Sequence, residues 1–326
     1  MRCYNLIMIT DQISTSSYIR KLSKREFNVC IDSDDGKNKI ESLLNQTVLS
    51  GGKHLRPMLT HLTGCLAGVD DDVLHILSRS IEFVHAASLA HDDVIDNANL
   101  RRGKPSINVA GDNKMAVLSG DFLLAEVIND LCDLGNIQIV SEMANIIKRL
   151  SKGEWIQHDR LKSRNYKRED FRNIALLKTS SVLEWCFSAP FIYCNFSKEV
   201  ISCAKSLGEN LGLSFQLYDD LLDFSDDSEK DKLLDMENGQ LTLISYLYLE
   251  KNGLMPRYQA GEELTSLINF DEIKPILRDV KILADEYQQQ CEEHLNLLVE
   301  MLNLNSNNND VRAIKYLLDK LKNRKK

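Results

Sequence analysis

The chain has 326 residues, of which 43% are hydrophobic, and a formal net charge of −8 at pH 7. A chain of this length can bury a large core, and its mildly acidic charge is atypical of a nucleic-acid-binding protein. Its eight cysteines show no CxxC spacing, which favours reduced thiols over a disulfide framework or a zinc site.

No apolar run is long enough to span a bilayer, and we expect no signal peptide. These features predict a cytoplasmic protein. The first 25 residues are rich in Ser and Thr and more basic than acidic, so an organelle transit peptide is a weaker alternative.

Apolar residues recur at three- and four-residue spacing along almost the whole chain, which is typical of helices. The pattern predicts helices over 38–48, 56–67, 71–96, 115–133, 137–162, 169–188, 197–224, 239–250, 271–301 and 309–324. Breaks are predicted at Gly51-Gly52, Gly68, 103–105, Gly111, Gly135, Pro190, 253–256 and the Asn-rich run 302–309.

With only five prolines and no sustained two-residue alternation, the sequence leaves little room for a sheet. We therefore predict an all-α fold, with one helical domain over 37–326 and an N-terminal extension over 1–36. Two helical halves packed around one cavity would describe the same object.

Two copies of one acidic pattern are the most informative motifs: DDVID at 92–96 and DDLLD at 219–223. Residues four apart on a helix share a face, so Asp92 and Asp96 point to one spot, as do Asp219 and Asp223. Their mutual repulsion requires a cation. Carboxylate oxygens suit Mg²⁺, which is typically held by a few carboxylates together with substrate phosphate.

A solvated helix face is the ordinary explanation of one such cluster. Here apolar residues crowd both motifs, including Leu89 before the first and Phe215 before the second. Carboxylates beside apolar residues are costly unless they are paired or bind a metal. The repetition of the motif therefore favours two metal-binding sites that would hold a diphosphate from both sides.

Basic and polar residues form compact groups around these motifs. Lys53 and Arg56 lie about one turn apart at a predicted helix start, where backbone amides also favour anions. Arg101 and Arg102 follow the first motif directly, and arginine suits bidentate phosphate binding. Each group alone has an equally good structural explanation; their combination favours a diphosphate site.

Several segments together resemble the trans-isoprenyl diphosphate synthases, also called polyprenyl synthetases. They are GGKHLRP at 51–57, FVHAASLAHDDVIDNANLRRGKPSIN at 83–108, GDFLLA at 120–125, GEWIQ at 153–157, KTS at 178–180 and GLSFQLYDDLLDF at 212–224. The resemblance runs from about Lys39 to the C-terminus. It implies the isoprenoid synthase fold, an antiparallel helix bundle around a central cavity, usually as a homodimer.

The resemblance also implies a role for each matching residue. Mg²⁺ ions would be held by Asp92, Asp96 and Asp219, with Asp93, Asp220 and Asp223 beside them. Arg101 and Lys178 would bind the allylic diphosphate, and Lys53, Arg56, His85 and Arg102 would bind isopentenyl diphosphate. Thr179 and Gln216 would stabilise the allylic cation and its departing group. The released diphosphate can accept the final proton, so we interpret His85 as a diphosphate ligand or a core histidine.

Three departures from the family pattern stand out. His54 occupies a position where the family often has Arg. After the second motif, Gln240 replaces a lysine and Leu233-Leu234 replaces the usual glycine. Lys230 is our candidate for the remaining lysine, with Lys232 as the alternative.

Small residues one turn before the first motif predict a long product. Ala87 and Ser88 leave open the level at which bulky aromatics would close the pocket, and each further helical turn adds about 5.4 Å of depth. The stop is expected at Val84 or Ile81, or on the facing helix at 123, 124 or 127. We predict a geranylgeranyl or longer product.

Two alternative functions must be compared with this prediction. A terpene cyclase shares the fold but carries a different second metal motif, so the second DDLLD argues against it. A catalytically weak or partner-dependent subunit of a heteromeric synthase is the better alternative. It is favoured by the altered segment 230–244.

Overall fold

A computed structural model describes residues 15, 39–224 and 240–323. Apart from residue 15, the predicted extension 1–36 therefore lies outside the described residues, as do Lys230, Lys232 and Leu233-Leu234. The helices in the first half are α1 (Lys39–Gln46), α2 (Leu55–Ala67), α3 (Asp71–Ile95), α4 (Ile107–Ala110), α5 (Asn113–Asp133) and α6 (Ile137–Ser163). Those that follow are α7 (Arg168–Ala175), α8 (Ser181–Tyr193), α9 (Lys198–Asp223), α10 (Leu243–Lys251), α11 (Met255–Gln259), α12 (Leu264–Leu267), α13 (Lys274–Met301) and α14 (Asn309–Lys322).

The all-α prediction is confirmed. In the described part of the chain, the strands are two residues long: β1 (Leu100–Arg101) pairs antiparallel with β2 (Lys104–Pro105). A π-helical turn, Leu176–Ser180, separates α7 from α8 within what the sequence predicts as one helix. The short helices α4, α11 and α12 were not predicted, because four or five residues are too few to show a period.

The predicted break at Pro190 is wrong, since α8 continues through it to Tyr193. A proline inside a helix removes one backbone hydrogen bond and costs about 3 kcal/mol. Residues 181–190 are all buried. Burial of this apolar helix on every side outweighs the local cost of the proline.

The described chain divides into two compact units. The first comprises the described residues up to Ala144, together with Trp185–Ser197 and Ser306–Ile314. In it, α3 packs against α2 and α5, and the Trp185 indole donates a hydrogen bond of 3.2 Å to the Leu77 carbonyl. The first acidic motif ends α3 in this unit.

The second unit comprises Asn145–Glu184, the described residues of Lys198–Asn305, and those from Lys315 onward. Its central pair is α9 against α13, and the π-helical turn also packs on α9. The Tyr218 hydroxyl donates to Asp285 at 2.7 Å, and Lys322 reaches the same carboxylate oxygen at 3.1 Å. The second acidic motif ends α9 in this unit.

Among the helices of the described residues, none is both long enough and apolar enough to cross a membrane.

Candidate active site

The last turn of α3 carries the first acidic motif, and its three aspartates have different surroundings. Asp92 is half-buried and Asp96 is exposed at the helix end. Asp93 is fully buried and accepts hydrogen bonds from Arg101 Nε at 2.9 Å and Nη2 at 2.5 Å on one oxygen. Its other oxygen accepts from the Ile107 amide at 3.3 Å. Asp93 therefore holds Arg101 and the start of α4.

The β1–β2 hairpin brings Arg102 to the glycine loop before α2. Arg102 Nη1 lies 3.2 Å from the carbonyl oxygens of Ser50 and Gly51. A Cβ at Gly52 would lie 2.9 Å from the same nitrogen, and the backbone there has φ +92°, so glycine is required. The exposed side chains of Arg102 and Lys53 thus belong to one basic edge of the first unit.

Two histidines near this edge have distinct environments. His54, in the left-handed region with φ 44°, places Nδ1 3.0 Å from a carboxylate oxygen of the buried Glu82. His85 retains a partly exposed side chain. Burial lowers the pKa of His85 well below 6.5, and the charges of Arg56, Arg102 and Arg101 lower it further. His85 is therefore neutral at pH 7 and can donate one N–H.

In the second unit, the π-helical turn presents Lys178 and Thr179. The Lys178 ammonium binds the Glu154 carboxylate and lies 3.0 Å from Gln157 Oε1, both on α6. Thr179 Oγ1 donates to Gln216 Oε1 at 2.9 Å, and Gln216 Nε2 donates to Asp220 Oδ1 at 3.0 Å. A continuous hydrogen-bond chain therefore runs from the turn to the second acidic motif.

These side chains share a cavity of about 260 Å³ within the second unit. Its described lining includes Lys178, Thr179, Gln216, Asp220 and Gln240. Lys178 is the one cation among the described lining residues, and Gln240 adds a neutral amide. Asp220 is buried, whereas Asp219 and Asp223 are half-buried. The structure brings Lys178, Thr179 and Gln216, to which the resemblance gives roles toward the allylic substrate, together at one cavity.

The donor set of the two motifs suits a hard divalent cation. Within the described residues, no group of three or more His, Cys, Asp or Glu side chains converges as a ready metal site. Each motif instead provides two carboxylates four residues apart, Asp92 with Asp96 and Asp219 with Asp223. All-oxygen ligation completed by substrate phosphate fits Mg²⁺ and is atypical of zinc.

The residues expected to set product length lie along α3. Val84 and Ala87 are buried, and the Ser88 hydroxyl donates to the His85 carbonyl at 2.8 Å. On α5, which packs against α3, residues 123 and 127 are fully buried. The apolar positions expected to set product length are thus buried on two helices that pack against each other.

Sequence reasoning assigned no role to Glu154, Gln157, Glu82 or Arg149, although each contacts a functional element. Glu154 and Gln157 lie three residues apart, so the sequence could have predicted that they share a helix face. Their partner Lys178 lies more than twenty residues away, and no local pattern reports such a contact. Asp93 was grouped with the metal ligands because sequence spacing does not show which carboxylate is buried.

Comparisons with known proteins give one consistent result. The family model "Polyprenyl synthetase" matches residues 37–267. A "Prenyl transferase" of Synechocystis sp. is 30% identical over 261 residues, covering 76% of this chain and 80% of the relative. "Solanesyl diphosphate synthase 1, chloroplastic" of Arabidopsis thaliana is 32% identical over 219 residues, covering 64% of this chain and 54% of the relative.

Among solved structures, a polyprenyl synthase from Caulobacter crescentus, complexed with calcium and isoprenyl diphosphate, superposes with a TM-score of 0.77. It is 24% identical, and the match covers 98% of this chain and 96% of that chain. This similarity shows a shared fold.

Proposed function

Because this chain belongs to the polyprenyl synthetase family, we propose that it condenses isopentenyl diphosphate with an allylic diphosphate. The proposed product is a trans-polyprenyl diphosphate of geranylgeranyl length or longer. The observation that carries the proposal is the cavity in which Lys178, Thr179, Gln216 and Asp220 meet beside the second acidic motif.

We propose that Asp92, Asp96, Asp219 and Asp223 hold Mg²⁺ ions. When bound, Mg²⁺ would neutralise charge that develops on the departing diphosphate. Asp93 and Asp220 have a different proposed role. Asp93 binds Arg101 and Asp220 binds Gln216, so each orients a side chain toward substrate.

The allylic diphosphate would bind Arg101 and Lys178. Lys178 already presents its ammonium at the cavity, where substrate oxygens can replace the Glu154 carboxylate as its partner. Thr179 and Gln216, which are hydrogen-bonded to each other, would provide oxygen dipoles for the developing cation. Fixed dipoles in a site closed to water stabilise such charge without reorganisation.

Isopentenyl diphosphate would bind Lys53 and Arg102 of the basic edge and the half-buried Arg56, with His85 as a neutral donor. Holding both substrates in one orientation accounts for a large part of the rate enhancement in such reactions. Lys230, which lies outside the described residues, remains our candidate for a further lysine ligand of the diphosphate.

The small residues Ala87 and Ser88 support the proposed product length. A bulky aromatic side chain at this level, one turn before Asp92, would block the growing prenyl chain where α3 packs against α5. Val84 is the next side chain on this face. The name of the Arabidopsis relative, a solanesyl diphosphate synthase, is in keeping with a long prenyl chain.

We further propose a homodimer and a cytoplasmic location. Val117 and Leu118 on α5 are 41% and 56% exposed, and adjacent exposed apolar residues favour an interface. The six described cysteines are thiols and not disulfides, which suits a reducing compartment. Imaging of a fluorescent fusion in cells would test the location.

The deciding experiment incubates the purified chain with Mg²⁺, labelled isopentenyl diphosphate and, separately, geranyl, farnesyl and geranylgeranyl diphosphate. We expect products longer than farnesyl diphosphate. A farnesyl-only product would contradict the role of Ala87 and Ser88. No turnover with any primer would contradict the proposed activity of the isolated chain, and Gln240→Lys would then be the first variant to test for recovery.

A further inference from the structure

The π-helical turn Leu176–Ser180 needs hydrogen-bond donors from outside its own backbone. A π-helical turn inserts an extra residue into a helix, so nearby carbonyls lose their regular partners. Arg149 Nη2 donates to the Leu176 carbonyl at 2.9 Å, and the Ser181 hydroxyl donates to the Leu177 carbonyl at 2.6 Å. The two carbonyls directly before Lys178 are therefore held by side chains.

The Arg149 guanidinium is itself fixed by Glu184. Nη1 donates to one carboxylate oxygen at 2.7 Å and Nη2 to the other at 2.6 Å, which makes the pair bidentate. Glu184 is 6% exposed, and its burial raises the pKa of the carboxyl while Arg149 opposes that rise. A bidentate pair fixes the orientation of the guanidinium as well as its position.

The turn has little space in which to relax. A Cβ at Gly212 would lie 2.4 Å from Ser180 Cα, and one at Gly208 would lie 2.6 Å from Glu184 Cα. A Cβ at Gly153 would lie 2.6 Å from Lys178 Cγ. Because closely packed interiors transmit displacements, a shift at Leu176 would reach Lys178 and Thr179.

One face of α6 carries much of this support. Arg149, Gly153 and Gln157 follow each other at four-residue spacing, and Glu154 lies beside them. Arg149 binds a carbonyl of the turn, and Gly153 leaves space for the Lys178 side chain. Glu154 and Gln157 bind the Lys178 ammonium. Neither Arg149 nor Glu184 is among the described residues that line the cavity.

We propose that Arg149 and Glu184 are positioning residues: they hold the π-helical turn in the geometry that presents Lys178 and Thr179 to the allylic diphosphate. This inference rests on the proposed prenyltransferase activity. It predicts that Arg149 affects turnover without contacting substrate.

The test compares Arg149→Lys, Arg149→Met and a matched control, Arg160→Met. Lysine keeps the charge next to Glu184 but cannot bind the carboxylate and the Leu176 carbonyl in the same fork geometry. Arg160 lies on the same helix and donates to the buried Asp170 at 2.7 Å, six residues before the turn, without bonding the turn itself. The control therefore removes a comparable ion pair.

We expect both Arg149 variants to lower kcat by about 100-fold, the scale of a misplaced catalytic group. The KM for isopentenyl diphosphate should stay unchanged. Arg149→Lys should also keep a melting temperature close to that of the wild type. Arg160→Met should lose stability while retaining kcat. Equal losses of kcat in the Arg149 and Arg160 variants, scaling with stability, would overturn the inference.

A second measurement does not depend on turnover. Amide hydrogen exchange over residues 176–183 should be faster in Arg149→Lys than in the wild type and in Arg160→Met. An inactive wild type would contradict the proposed function, and exchange would still test the support of the turn. Unchanged exchange in both Arg149 variants would overturn the positioning role.

Discussion

Asp93 and Asp220 occupy the second position of the two acidic motifs, and both are buried. Asp93 binds the Arg101 guanidinium, and Asp220 accepts from the amide of Gln216. The two motifs therefore share a division of labour at the level of single residues. In each, the carboxylates four residues apart are more accessible, while the second one orients a neighbouring polar side chain.

Asp93→Asn should weaken the allylic diphosphate site without removing a metal ligand. A hydrogen bond to a charged group contributes about 2 kcal/mol, so kcat/KM should fall by roughly 30-fold. The half-saturating Mg²⁺ concentration should stay unchanged, whereas Asp92→Asn should raise it. Steady-state kinetics with Mg²⁺ titrations would measure both.

Asp130→Asn is the matched control, because Asp130 binds Arg79 at 2.5 Å in the same unit. An Asp93→Asn enzyme that requires as much additional Mg²⁺ as Asp92→Asn would identify Asp93 as a metal ligand.

His85 should make stability depend on pH. Its pKa in the folded protein lies well below 6.5, so the unfolded chain binds a proton first as pH falls. The stability that neutral His85 contributes is complete above pH 6.5 and is lost as pH falls toward the folded pKa. Wild type should lose unfolding free energy more steeply than His85→Asn below pH 6.5, by at most about 1.4 kcal/mol per pH unit.

Urea unfolding at several pH values would measure this difference. Parallel pH profiles for the wild type and His85→Asn would show that His85 titrates normally.

At the scale of secondary structure, the glycines of α9 decide how closely the π-helical turn can approach. Gly212→Ala would place a Cβ 2.4 Å from Ser180, where backbone must move. Overpacking of this kind costs about 1–3 kcal/mol. Thermal unfolding should show the loss of stability. Turnover should also fall, because Thr179 lies in the turn and would be displaced with it. Ser202→Ala, exposed on the same helix, should change neither.

The sequence predicted most long helices because their apolar faces repeat over many turns. It did not predict the π-helical turn, because the apolar residues of 169–188 still repeat at roughly helical spacing when one extra residue is inserted. The extension of α8 through Pro190 depends on burial by distant residues, which local propensity does not contain. Spacing likewise predicted that Asp92 and Asp96 share a helix face. The burial of Asp93 depends instead on its contacts with Arg101 and Ile107, which spacing does not show.

On the scale of the whole molecule, each compact unit carries one acidic motif with its own polar surroundings. The first unit provides the basic edge and the second provides the Lys178 cavity. Activity should therefore require both units intact. This expectation agrees with the family model, which covers parts of both.

Leu118→Asp should disrupt the proposed homodimer. A charge at a buried interface position is costly, and Leu118 is 56% exposed in the single chain, so the folded monomer should tolerate it. Light scattering after size-exclusion chromatography should show a dimer for wild type and a monomer for the variant. Asp133→Asn, exposed at the end of the same helix, should stay dimeric. A monomeric wild type would contradict the proposal.

The contact between Lys178 and Glu154 also bears on inhibitor design. A diphosphate mimic that binds the Lys178 ammonium leaves the partly exposed Glu154 carboxylate without its cation. Part of the affinity of a purely anionic compound is lost in this way. A zwitterionic compound, with an amine placed next to its phosphonate, could satisfy both side chains at once. Selective inhibitors of this enzyme should therefore carry a positive charge beside the negative one.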